Sequence, residues 1–191
     1  MKDAPLDMRF DMDAKVTAFD IVNKYKEEDL VKIFSEYGQE RFSKRIAKKI
    51  VEVRKNNPIK TTKELADLIV EATPKIKSRI HPATRVFQAI RIEVNSELTN
   101  VKQILENLMP FLDIGATISV ISFHSLEDRL VKTIFRKYAR GNQDEMTTGD
   151  GISEPPKLSL TVKKPLMASE AEVRENPPSR SAKLRGAVAI R

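Results

Sequence analysis

Cysteine is absent from the sequence, which excludes a disulfide framework and any thiolate metal site and fits a reducing compartment. The two histidines, His81 and His124, stand far apart without metal-ligand spacing, so no metal site is expected. Long apolar runs are missing too: nothing approaches the roughly 20 residues that a membrane span requires. The start of the chain is charged and carries no apolar core segment, which argues against a secretory signal. No membrane partner is therefore expected, and the cytoplasm is the expected location. Internal repeats are lacking as well. Against these absences stands an apolar fraction of 40%, enough over 191 residues for the core of one domain or two small ones. A formal charge of +7 favours an anionic partner, nucleic acid first among them, with general solubility as the competing explanation.

Residues 1–14 show little periodicity and read as a loop that frays. From Thr17 the pattern turns helical. Thr17 and Asp20 start one helix, Leu30, Ile33 and Phe34 mark a second that stops at Gly38, and a third is predicted from about Arg41 to Lys55. The third has an apolar face of Phe42, Ile46, Ile50 and Val53. Its other face carries Arg41, Lys44, Arg45, Lys48, Lys49, Arg54 and Lys55 against one acid, Glu52. Such a face can track a phosphate backbone, each neutralised phosphate releasing counterions, or it can be a solvated helix surface. Thr61 and Glu64 form a capping box for a fourth helix, which Thr73-Pro74 stops. Residues 15–80 thus read as a helical domain with no catalytic constellation, left through a basic linker of Lys75, Lys77 and Arg79. Pro82 opens a further helix that reaches Leu108, with a break allowed near Asn95-Ser96.

The stretch that organises the chain runs from Ala116 to Arg129. Its β-branched run, Ile118 to Phe123, is apolar on both faces, which predicts a strand buried on both sides in a parallel sheet. Ser125 and Asp128 then have the spacing of a helix N-cap, and Leu126, Leu130, Val131, Ile134, Phe135 and Tyr138 share one helical face. Open α/β sheets bind ligands outside the carboxyl ends of their strands, so Ser122 to Arg129 is the first place to look for chemistry. Residues 141–156 read as a mobile loop. Leu158, Leu160 and Val162 alternate as a half-exposed strand, Ser169 and Glu172 cap a short helix, and Leu184 to Ile190 forms the last strand.

The segment Val120 to Arg129 resembles the most distinctive motif of the bacterial 16S ribosomal RNA (cytosine-N4) methyltransferases, the H-type small-subunit enzymes. Pro5 to Arg9, His81 to Arg85 with Phe87 to Arg91, and Asn176-Pro177 followed by Arg180 to Arg185 resemble the same family in the same order. The resemblance implies an α/β fold, an incomplete class I (Rossmann-like) methyltransferase sheet with an inserted all-helical domain. In that fold the last three strands lie side by side at one end of the sheet. Residues 1–14 would be a loop, 15–80 a substrate-recognition-like domain and 81–191 the carboxyl-terminal part of the methyltransferase domain. The family's Gly-Gly-His loop and ribose-binding acid, which hold S-adenosylmethionine, have no counterpart in this sequence. The expectation is therefore a portion that does not bind S-adenosyl-L-methionine alone. It would be one half of a split methyltransferase served by a separate amino-terminal half, or a non-enzymatic RNA-binding remnant.

By the same resemblance the reaction methylates N4 of a cytidine in 16S rRNA of the small ribosomal subunit. The lone pair of that nitrogen is delocalised into the ring, so N4 must be held in line with the donor and its N–H groups accepted by oxygens as charge develops. An extruded base also needs an aromatic ring to stack on. Ser122, Phe123, His124 and Ser125 are the candidate substrate-side pocket. Three of them have a structural alternative: Ser125 as a cap, Phe123 as core, His124 as a turn hydrogen bond. Candidate RNA ligands are Arg41, Lys44, Arg45, Lys48, Lys49, Arg85, Arg180, Lys183 and Arg185, with surface charge or internal ion pairing as the alternative for Arg85 and the carboxyl-terminal cluster.

Overall fold

The computed structural model describes residues 3–74, 80–141 and 155–191, so the basic linker and nearly all of loop 141–156 lie outside the described residues. The chain divides into two compact units, Met1–Glu97 and Leu98–Arg191.

The first unit contains α1 (Ala18–Lys24), α2 (Glu27–Glu36), α3 (Ser43–Arg54), α4 (Thr62–Ala72) and α5 (Thr84–Val94). Thr17 and Thr61 form capping boxes with Asp20 and Glu64, which satisfies amides left open at the starts of α1 and α4. Ile21, Phe34, Ile46, Ile50, Leu65, Ile69 and Ile90, spaced along one face of each helix, close a single core. Full burial of each such side chain contributes about 1.5–3 kcal/mol. Gly38 lets α2 end against α5, because a Cβ there would stand 2.7 Å from the carbonyl oxygens of both Arg85 and Phe34. Here α5 packs on α1 and α2 and buries Val86, Ala89 and Ile90 in the same core.

Two local readings change, and the break allowed near Asn95-Ser96 is present. The segment expected to fray is anchored over residues 3–14: Leu6 is buried, its N–H donates to Lys60 O at 3.0 Å, and the N–H of Thr62 donates to Ala4 O at 2.8 Å. Arg9 braces the same loop, with Nε and Nη2 on the Asp7 carboxylate at 2.7 and 2.9 Å. The helix expected from Pro82 to Leu108 is two, α5 and α6 (Glu97–Leu108), parted where Ser96 adopts a φ of 49°. Asn95 ends α5 because its side chain is engaged by the loop, accepting from the Phe10 N–H and donating to Met8 O. Arg54 does not lie on the outer face of α3. It donates to the carbonyls of Val22 (2.6 Å) and Tyr25, satisfying acceptors at the end of α1.

In the second unit, β1 (Thr117–Ser122), α7 (Ser125–Arg140), β2 (Leu158–Leu160), β3 (Leu166–Met167), α8 (Glu170–Glu175) and β4 (Lys183–Ala189) follow α6. The strand order is β1-β4-β2, β3 also pairs with β4, and every pairing is antiparallel. Thus β1 and β2 run in the same direction on either side of a reversed β4. Thr161 passes close to that strand: a Cβ on Gly186 would lie 2.6 Å from its hydroxyl. The core gathers Leu105, Met109, Ile118, Val131, Ile134, Phe135, Leu158 and Ala187. The reading of β1 as a parallel strand buried on both sides is corrected. Its pairing is antiparallel, and while Ile118 and Ser122 are buried, Ile121 and Phe123 are 59% and 56% exposed. A two-sided apolar run shows only that both faces can be buried, and the described residues of this unit cover one.

Candidate functional site

The carboxyl end of β1 passes through Phe123 and His124 into α7 without a glycine or proline. His124, and not Ser125, caps that helix. It keeps extended backbone (φ −135°, ψ 164°), and its Nδ1 accepts the Glu127 N–H at 3.3 Å. Glu127 Oε2 in return accepts the N–H groups of Phe123 at 2.9 Å and His124 at 3.2 Å. The cap therefore sits one residue earlier than the Ser-x-x-Asp spacing implied, with Ser125 already helical. Glu127 Oε1 also lies 3.2 Å from His124 Nε2. Burial pushes the Glu127 carboxyl up, but the His124 side chain and the two N–H groups together outweigh it and hold it below its ordinary value.

One residue on, Asp128 is buried on the side of α7 that faces β4. Arg185 meets it through two contacts, Nε to Oδ1 at 2.7 Å and Nη2 to Oδ2 at 3.3 Å, and Lys183 Nζ lies 3.4 Å from Oδ2. The Asp128 and Arg185 side chains are 12% and 11% exposed. The hydrogen bond from Arg185 holds the Asp128 carboxyl below its ordinary value against the opposing effect of burial.

The four residues of the candidate pocket thus separate into distinct roles. Ser122 is buried and its hydroxyl donates to Lys183 O at 3.4 Å. His124 is folded into the cap. Phe123 presents its ring to solvent, and Ser125 is exposed on the first turn of α7. Glu127 thus engages the two amides of the turn itself, Phe123 and His124, while its own N–H at the start of α7 is taken by His124.

In the first unit, Arg41, Lys44, Arg45 and Lys48 are exposed along α3 and its approach. Lys49 is partly withdrawn and pairs with Glu71 at 2.8 Å. Arg85 is exposed, donates to Gln39 O at 3.2 Å and shares the rim of one cavity with Arg41, which brings together two residues predicted from separate segments. Arg180 is exposed on the turn Pro177–Ser181. Sequence reasoning missed Asp128 as the anion that collects Lys183 and Arg185. A signal existed: residues two apart on a strand point to one face, so a partner for one is within reach of the other. It also missed Glu40, a buried acid with no periodic pattern to mark it.

Comparison with known proteins gives a consistent picture. The sequence matches the MraW methylase family over residues 1–190. It is 49% identical over 191 residues to the "Ribosomal RNA small subunit methyltransferase H" of Persephonella marina, covering 99% of this chain and 60% of that protein. Proteins of the same name from a Sulfurihydrogenibium species and from Sulfurihydrogenibium azorense are 50% and 48% identical, with 94% and 96% of this chain covered. The chain spans 57–60% of the length of these curated relatives.

Proposed function

Because the chain belongs to the MraW methylase family, we propose that it supplies the substrate-handling portion of an S-adenosylmethionine-dependent methyltransferase acting on N4 of a cytidine in 16S rRNA. The observation that carries this reading is the strand–turn–helix unit at Ser122–Glu127, which sets an exposed aromatic ring and a hydroxyl at the carboxyl end of β1. Phe123 serves as the platform for a base turned out of its stack, and Ser125 lies two residues on as an oxygen for its amino group. Ser122 and His124 act by holding the turn. The parallel β1 and β2 flanking β4 support one end of a class I, Rossmann-like sheet, with residues 81–191 as the carboxyl-terminal part of the methyltransferase domain. Residues 15–80 form the helical substrate-recognition domain.

Phosphate contacts fall to Arg41, Lys44, Arg45, Lys48, Lys49, Arg85 and Arg180, which lie on exposed or partly exposed surface. Lys183 and Arg185 add positive field while they hold Asp128. The β1–α7 turn does not fit the methyl donor, since it lacks glycine and the Phe123 and His124 amides are engaged by Glu127. We place the donor site in the share of the relatives' length that this chain does not cover. No helix among the described residues is long and apolar enough to cross a membrane, and the cytoplasm, where small subunits are assembled, is the proposed location.

The test is methyl incorporation into small ribosomal subunits from labelled S-adenosylmethionine. The chain would be assayed alone and together with a polypeptide matching the uncovered portion of a relative. Incorporation at a cytidine N4 only when both are present is the expected result. Incorporation by the chain alone overturns the placement of the donor. No incorporation in either case, with RNA binding intact, supports the second reading, a non-enzymatic RNA-binding protein, which the engaged turn amides favour.

A further inference from the structure

The first unit contains a cavity of about 210 Å³ whose walls include Glu40, Arg41, Phe42, Ile80, His81 and Arg85. It has no part in the β1–α7 turn. Its position follows from how α2 ends: Gly38 and Gln39 leave the helix, Gln39 at a φ of 49°, and the Glu40 N–H returns to Phe34 O at 2.9 Å. That turn sets Glu40, only 8% exposed, beneath the start of α3, where Oε1 accepts the Phe42 N–H at 2.8 Å. The other carboxylate oxygen has no partner among the described residues. Glu40 lines the cavity, so this oxygen is an acceptor within reach of a donor that enters. Phe42 adds an aromatic surface, with the Arg41 guanidinium 5.7 Å from its ring centre. Arg41 and Arg85 put two cations at the rim. The volume lies below the roughly 300–1,000 Å³ usual for drug-sized ligands, which suits a single ring system.

We propose that this cavity receives one unstacked base of single-stranded RNA and selects for an exocyclic amino group, as on cytosine or adenine. Glu40 accepts the amino N–H, Phe42 stacks on the base, and Arg41 and Arg85 hold the flanking phosphates. Uracil has no amino group and puts a carbonyl oxygen where cytosine carries its amino nitrogen, so it meets the carboxylate less favourably. The proposal rests on the reading of the chain as an RNA-binding protein and adds a specificity-determining site to it.

Anisotropy of short cytidine, adenosine and uridine homopolymers binding to the full chain tests it, with the wild type beside Glu40→Gln. Glutamine keeps an acceptor for the Phe42 N–H and turns its amide donor toward the cavity. The wild type should bind cytidine and adenosine polymers about tenfold more tightly than uridine, the scale of one hydrogen bond to a charged group. E40Q should erase or reverse that order with the salt dependence unchanged. An unaltered order in E40Q, with steep salt dependence throughout, overturns the cavity proposal and leaves the α3 phosphate surface standing. No binding of any polymer at low salt overturns both. Should E40Q fail to fold, ultraviolet cross-linking of the wild type to the cytidine polymer decides: adducts at Phe42 or His81 support the site, and adducts only elsewhere overturn it.

Discussion

Replacing Asp128 with asparagine isolates the charge contact that ties α7 to β4. The substitution keeps the side chain's shape and removes its charge, leaving the Arg185 guanidinium, 11% exposed, without an anion. Removing one partner of a fully buried ion pair costs about 3–5 kcal/mol. Two features of the geometry reduce that here. Lys183, 32% exposed, can turn to solvent, and the amide oxygen of the introduced asparagine still accepts one hydrogen bond from Arg185. A loss of about 2 kcal/mol at neutral pH is therefore expected. Chemical denaturation would be followed by circular dichroism and by Tyr138, which lies on α7. The pH dependence gives an independent check. Arg185 holds the Asp128 carboxyl below 3.8, so its contribution is complete above that pH and is lost as pH falls through the lower, folded value. D128N should flatten that part of the acid limb. A loss under about 0.5 kcal/mol, within the range of a neutral surface change, together with an unchanged acid limb would refute the reasoning. A double-mutant cycle with Arg185→Gln should show sub-additive losses, and full additivity would mean adjacency without energetic pairing.

Glu127→Ala removes the acceptor for two turn amides and should cost about 1–2 kcal/mol, read by hydrogen exchange as faster exchange of the Phe123 and His124 amides. Because the Glu127 carboxyl is held below its ordinary 4.5, its contribution is present above that value and fades as pH falls through the folded one; a stability profile of E127A parallel to the wild type would contradict this. Gly38→Ala places a Cβ 2.7 Å from two backbone oxygens that cannot swing away, so thermal melting should show the helical unit weakened by on the order of 2 kcal/mol. Reversing Arg41, Lys44 and Lys48 to Glu should flatten the salt slope of single-stranded RNA binding by about 2 without loss of helix content, and an unchanged slope would assign the face to solvation.

The elements that sequence makes legible are those whose determinants are local. Thr17 with Asp20, Thr61 with Glu64 and Ser169 with Glu172 are three residues apart, and each caps the helix expected of it. The break at Asn95 was allowed but not required by the sequence, because what engages its side chain is Met8 and Phe10, more than eighty positions away. Arg54 misleads for the same reason. Helical spacing puts it among solvent-facing lysines, yet its reach lets it double back to the end of α1, where two carbonyls need donors. The cap of α7 was misplaced by one residue because hydroxyl side chains are the usual caps, while here an imidazole nitrogen accepts the amide and Ser125 begins the helix.

The candidate site shows how residues named from sequence can be given the wrong environment. Periodicity reports which faces of β1 are apolar, but burial depends on what packs there. Among the described residues β1 hydrogen-bonds to β4 alone, so alternate amides along its other edge point away from any strand. Ile121 and Phe123 stand exposed beside that edge, and an apolar edge of this kind calls for a partner. The basic cluster has the mirror problem. Net charge marks Lys183 and Arg185 as phosphate ligands, but their strand positions aim both at the first turn of α7, where Asp128 has a stronger claim because it is buried and within 3.4 Å of each. A cation on a helix exposed to solvent, such as Lys44, has no such competitor among the described contacts. Its charge is free to act at a distance, which is why the phosphate surface is sought on α3 and the anchoring of the turn on β4.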